Sequence, residues 1–206
     1  SQCAISGQTT YIAHRRNANE SRASGPLGEN AIRALRNLFG LSRGDAAEPL
    51  YRAIVAQARQ PAFYAEIGVP DTTEGRFDLI VLHAVLVMRR LRRDGEAGRD
   101  FAQALFDEMF RDMDRSLREM GIGDLVVPKR IRKMGEAFYG RAGRYDPLLD
   151  SGDEAGLAEA FADNLLLRER DQAADRLARY ALGAQAMLAT RDGAALRRGA
   201  LGWPEI

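Results

Sequence analysis

The chain has 206 residues, 46% of them hydrophobic, and carries 30 lysines and arginines against 29 acids, a formal net charge of +1. That balance excludes a whole-molecule attraction to nucleic acid or lipid, so any such contact must be local, while the apolar share is enough for one real core. A single cysteine and two histidines exclude an internal disulfide and a Cys/His metal centre.

Residues 1–28, SQCAISGQTTYIAHRRNANESRASGPLG, are rich in Ser, Asn, Gly and Thr and have no apolar period. They read as a disordered N-terminal extension or vector-derived residues, with no secretory h-region and no convincing transit peptide. From residue 29 to 206 the signals are helical and strand alternation is nearly absent. The expectation is an all-α, irregular bundle of about six to eight helices in a single domain.

Asn30 to Leu41 places Ile32, Leu35, Leu38 and Phe39 on one side. Asp45 can cap a helix over about Ala46 to Arg59, with Leu50, Ile54, Val55 and Ala58 at helical spacing. Pro61 breaks it, and the following PAFYAEIGVPDT reads as a short aromatic turn. Asp71, Thr72 or Thr73 can then cap the greasiest stretch, GRFDLIVLHAVLVMRRLRR, Gly75 to Arg93. Its apolar run from Phe77 to Met88 is too short for a transmembrane helix, which needs about 20 apolar residues to cross ~30 Å of hydrocarbon. A central core helix is the reading, with its arginines favourably placed at the C-terminal end of the helix dipole near the surface.

After a Gly95 to Gly98 loop, a helix is expected from about Asp100 to Met120. Phe106, Met109, Phe110, Met113, Leu117 and Met120 form its apolar stripe. Pro128 suits the first turn of the next helix, and Asp146-Pro147 marks a turn after it. Asp153 or Glu154 opens a helix through LAEAFADNLLL, and the last runs from about Ala173 to Thr190, with Leu177, Tyr180, Ala181, Ala184 and Leu188 on one face.

Few residues carry candidate chemistry. No Gly-rich phosphate loop, Gly-x-Ser-x-Gly elbow, His-Glu-x-x-His helix, paired Glu-x-x-His or calcium loop occurs, so neither catalytic residues nor a cofactor or metal is expected. His83, inside the apolar run, reads as a core histidine bonded to a neighbour, and Asp78 as a first-turn carboxylate. Met109, Phe110, Met113, Met120 and Met134 either fill gaps in the core or line a groove for hydrophobic segments, because thioethers are flexible and polarizable. Lys129, Arg130, Arg132, Lys133, Arg141 and Arg144, with Glu136 the lone acid among them, form either a solvated face or a docking patch for RNA or anionic lipid. Tyr139 and Tyr145 are the aromatics placed to stack there.

Four pieces in order carry a family likeness: Tyr51, Pro61, Phe63 and Tyr64 in the early segment; the Gly-Arg-Phe to Leu-His opening of the apolar helix; FRDMDRSLREMG, Phe110 to Gly121; and FYGR, Phe138 to Arg141. Together they resemble the ubiquinol-cytochrome c chaperone family over about Leu50 to Leu149, and more loosely beyond it; Ser1 to Gly44 falls outside. Asp112, Arg115, Tyr139, Gly140 and Arg141 match family motif positions, to which no catalytic role attaches. The resemblance implies a non-enzymatic assembly chaperone that binds newly made cytochrome b for the cytochrome bc complex. The absence of a convincing transit peptide and the arginine-rich composition make it look like a bacterial member, cytoplasmic and peripheral to the inner membrane, with the ribosome or an anionic membrane surface as a further partner, and neither DNA nor a transmembrane segment. A helical RNA- or ribosome-binding module and a helical enzyme acting on a small apolar substrate are the other classes the residues leave open. Asp112 and Arg115, three apart on a helix, can simply pair with each other.

Overall fold

A computed structural model describes residues 43–206; the readings for residues 1–28 and for Asn30 to Leu41 lie outside the described residues. The described chain is all-helical, with no strand among those residues. The helices are α1 (Arg43–Ala58), α2 (Pro61–Ala65), α3 (Thr73–Arg92), α4 (Gly95–Glu119), α5 (Val127–Ser151), α6 (Glu154–Phe161), α7 (Gln172–Ala189) and α8 (Gly193–Arg197), and α6 runs on into a π-helical turn, Ala162–Leu166.

The greasy stretch is the centre of the bundle. Thr72 caps α3 by accepting the Gly75 N–H at 3.1 Å, and every residue from Phe77 to Met88 is buried, as is Leu91. Helices α1, α4, α5 and α7 and the π turn all pack against it, so it needs no polar face, which is why its pattern is a run and not a stripe. No helix among the described residues is long and apolar enough to cross a membrane. Around α3, α1 contributes Ala47, Leu50, Tyr51, Ile54 and Ala58, and α7 contributes Leu177, Tyr180, Ala181, Ala184 and Leu188, all buried.

Two polar residues inside the core are fully accounted for. His83 bonds through Nδ1 to the Leu79 carbonyl at 2.7 Å and through Nε2 to Tyr180 Oη at 2.8 Å. A carbonyl can only accept, so Nδ1 donates, and Nε2 must accept the Tyr180 hydroxyl proton. Gln57 Nε2 donates to the same hydroxyl oxygen at 3.0 Å. This closed chain holds the imidazole neutral, and burial pushes His83 down to about 4. Phe63 and Trp203 meet the ring edge-on at 5.3 and 5.0 Å, so the C-terminal tail returns to the core through Trp203.

Three element boundaries differ from the sequence expectation. α1 is already helical at Arg43, so Asp45 lies within the helix and not ahead of it. α4 begins at Gly95, where the sequence indicates a loop to Gly98. At Gly98 an added Cβ would sit 1.9 Å from the Leu91 carbonyl oxygen, so the missing side chain lets the first turn of α4 close against the end of α3. α5 passes through Asp146-Pro147 to Ser151. A proline inside a helix costs one backbone hydrogen bond, and here Arg89 brackets that turn. Its Nη1 donates to the Asp146 carboxylate at 2.6 Å and to the Asp146 carbonyl at 3.2 Å, and its Nη2 donates to Asp150. The arginines closing α3 thus reach other elements, Arg90 also donating to the Arg191 carbonyl at 2.7 Å.

Candidate functional site

α1 ends at Ala58 and Pro61 redirects the chain, so the last turns of α4 lack the cover that α1 gives its earlier ones. A groove of about 360 Å³ opens there. It is lined by Val55 and Arg59, by Phe77 and Ile80 of α3, by Met113 and Leu117 of α4 with Met120 just past its end, and by Met134 of α5. Thr73, Arg76, Asp112, Ser116 and Glu119 put polar groups along it. An apolar interior with a few polar groups at its edge is the usual make-up of a binding cleft. The lining methionines can change shape at little cost, which suits an apolar occupant of varied outline.

The rim is held from behind. Asp112 accepts the Tyr51 hydroxyl at 2.9 Å and Arg115 at 2.6 Å, so the expected Asp112–Arg115 pair is present with a tyrosine from α1 added to it. Burial, then the Asp112 charge, raises the Tyr51 pKa, and the phenol stays a donor. Arg76 is taken up by Asp71 at 2.6 Å. Arg59, by contrast, has no ion-pair partner among the described residues and points a free cation at the groove.

Of the five residues expected to meet a hydrophobic client, three line this groove and two do not. Met109, one turn before Met113, is fully buried. Phe110 turns to an aromatic cluster, 4.6 Å from Phe106 and 6.4 Å from Phe138. The stripe is continuous on the helix, but its neighbours are not, and a residue faces solvent only where the next helix has ended.

The six cations of the expected docking patch divide for the same reason. Arg130, Lys133, Arg141 and Arg144 fall on one side of α5, but in the helix's second half Arg141 meets α3 and Arg144 meets the π turn. Arg141 Nη2 lies 2.8 and 2.9 Å from the two carboxylate oxygens of buried Asp78 and bonds to Oδ2, while Arg141 Nε is buried with no acceptor. Arg141 therefore leaves the patch, and Asp78, expected as a first-turn carboxylate, is instead one half of a buried ion pair. Burial pushes Asp78 up to about 6, with the Arg141 charge pulling the other way. Arg144 is paired with Asp163 at 2.7 Å and Arg132 lies 3.5 Å from Glu136. Lys129, Arg130 and Lys133 are exposed and have no side-chain partner among the described residues. Neither tyrosine offers a stacking face there: Tyr145 is fully buried against Phe161 at 5.0 Å, and Tyr139 packs on Phe106 and Phe138, both at 5.6 Å. Gly140 is exposed, with open space where a Cβ would be.

Sequence reasoning missed the long-range partners Tyr51–Asp112, His83–Tyr180 and Asp78–Arg141. The one signal available was a polar residue inside an apolar run, which must find a partner if buried. Among the described residues no three His, Cys, Asp or Glu side chains are grouped to hold a metal ion.

Comparison with known proteins places this architecture. A family model described as ubiquinol-cytochrome C chaperone matches residues 65–203, reaching past Leu149 through the C-terminal helices and leaving out Tyr51, Pro61, Phe63 and Tyr64. The crystal structure of the Cbp3 homolog from Brucella abortus superimposes with a TM-score of 0.72 and 36% identity, covering 85% of this chain and 97% of that one. Ubiquinol-cytochrome-c reductase complex assembly factor 1 of Xenopus laevis is 29% identical over 126 residues, 61% of this chain and 62% of that protein. The assembly factor 1 of Homo sapiens is 27% identical over 116 residues, 56% of this chain and 38% of that protein. The chain thus spans less than two thirds of both vertebrate relatives, 62% of one and 38% of the other.

Proposed function

The chain belongs to the ubiquinol-cytochrome c chaperone family, and from that membership we propose that it is a non-enzymatic assembly factor for the cytochrome bc complex that holds newly made cytochrome b in the groove between α1, α3, α4 and α5. The observation that carries the reading is the groove itself: an open apolar cleft of about 360 Å³ walled by Met113, Met120 and Met134. A client made of transmembrane helices presents apolar side chains of mixed shape, and flexible thioethers accept such shapes without a fixed fit. The relatives named as reductase complex assembly factors support the assembly role. The solved relative comes from a bacterium, Brucella abortus, and a bacterial member of such a family would work in the cytoplasm, peripheral to the inner membrane.

The test is deletion of the gene in the organism that encodes it, with membranes assayed for b-type haem absorbance and ubiquinol-cytochrome c reductase activity. Both should fall and return with the wild-type chain. A Met113→Ser, Met120→Ser, Met134→Ser variant, built at groove positions that are not fully buried, should fold and yet restore neither by more than about a tenth, on the scale of the apolar burial lost at three side chains. Unchanged cytochrome b after deletion would defeat the assembly role. Full rescue by the triple variant would defeat the groove.

A further inference from the structure

We propose that the loop joining α4 to α5 inserts into the surface of an anionic lipid bilayer, with Leu125 and Val126 at the acyl boundary and the first turns of α5 on the headgroups. The idea deepens the client-holding reading and rests on it only for why the groove should face a membrane. Lone exposed leucines are ordinary on soluble proteins, so the weight falls on clustering. Four large hydrophobics stand exposed among the described residues, and three of them, Met120 at 56%, Leu125 at 89% and Val126 at 45%, lie within this one short segment.

The loop is built to present them. α4 ends in a glycine cap: Gly121 has φ +78° and donates to the Arg118 carbonyl, and the Ile122 N–H returns to the Leu117 carbonyl at 3.1 Å. Val126 N–H then closes a turn on the Gly123 carbonyl at 2.8 Å, and fully buried Val127 anchors the far side. Leu125 is left at the tip of a hydrogen-bonded projection.

Lys129, Arg130 and Lys133 follow at once, exposed and unpaired among the described residues. The acids nearby are Asp124, engaged by Arg118, Glu136, 3.5 Å from Arg132, and Glu119 at the groove. Three unpaired cations beside an apolar tip match the layering of an anionic membrane surface, where charge lies outside and hydrocarbon beneath. A phosphate backbone would use the cations and leave Leu125 with nothing to meet. Met120 belongs to this cluster and also to the groove wall, so insertion sets the mouth of the groove at the bilayer interface, where a transmembrane segment enters or leaves the lipid.

Flotation of the full chain with vesicles tests this without any client. The chain should float with vesicles of phosphatidylcholine mixed with phosphatidylglycerol, should not float with phosphatidylcholine alone, and should be released by salt. Leu125→Asp should weaken binding about tenfold or more, the loss of one buried apolar side chain. Lys129→Gln, Arg130→Gln, Lys133→Gln together should weaken it about a hundredfold, at roughly fivefold per cation. All these positions are exposed, and unchanged circular dichroism checks the fold. A Met113→Ser, Met134→Ser variant, which keeps Met120 of the docking cluster, should float as wild type and yet fail to restore cytochrome b, so failure of client holding and failure of membrane docking are read separately. Absence of binding to either vesicle overturns the proposal. So does binding lost with the cations but kept by Leu125→Asp, which marks a flat polyanion contact such as RNA, and so does the reverse.

Discussion

Arg141→Met is expected to cost the fold about 3–5 kcal/mol near pH 8, the usual penalty for removing one partner of a buried ion pair. Asp78 is 4% exposed, and its ion-pair partner among the described residues is this guanidinium, at 2.8 and 2.9 Å. Replacing both partners by apolar residues, Asp78→Leu with Arg141→Met, should recover most of the loss, because no charge is then stranded. Urea unfolding of the three chains measures this, and an Arg141→Met chain within about 1 kcal/mol of wild type would contradict it.

The same pair sets a pH dependence. Burial lifts Asp78 from its ordinary 3.8 to about 6, so the folded chain binds a proton there that the unfolded chain does not. Its contribution to stability is present below 3.8 and is lost as pH rises through about 6. His83 runs the other way: held down from 6.5 to about 4, it contributes above 6.5, and that contribution is lost as pH falls through about 4. Over the same window the two oppose each other. Asp78→Asn removes the first and leaves the second, so the variant should lose stability more steeply than wild type on acidification from about pH 6.5 to 4. Parallel curves would show that Asp78 does not titrate there.

Phe63→Ala is the second large effect, about 3–5 kcal/mol, as for other phenylalanines truncated in a core. Phe63 is fully buried on a five-residue helix and meets His83 and Tyr180 edge-on at 5.3 and 5.1 Å. Truncation opens space beside the Gln57–Tyr180–His83 chain, a polar thread linking α1, α3 and α7. For a chain of this size the melting temperature should drop by about 10 °C. Scanning calorimetry checks it, and a drop below about 3 °C would mean that α2 contributes little to the core.

How much of this was legible in the sequence depends on whether the signal was local. The run from Phe77 to Met88 identified the central helix because a segment buried on every side needs no polar face. Thr72 and Asp153 sit at helix starts, each accepting a backbone N–H, and such caps are written in short-range residue choice. The groove was half legible. The spacing of Met113, Leu117 and Met120 gives a common face, but Met109 has the same spacing and is buried, because only the end of α1 decides where that face is uncovered. Arg141 shows the limit from the other side, since its place in a basic run says nothing of Asp78, 63 residues away. Pro147 misled for a related reason: the turn it signals is overridden by Arg89 arriving from α3.

Binding of cytochrome b in the groove is most directly tested by a photo-reactive amino acid at Met120, which is 56% exposed and stands at the groove's mouth. Irradiation of cells during synthesis of the respiratory chain should give an adduct with newly made cytochrome b. A control at Glu159, exposed on α6 away from the groove, should give none. Equal adducts at both positions, or an adduct at Glu159 alone, would contradict the groove as the place where the client is held.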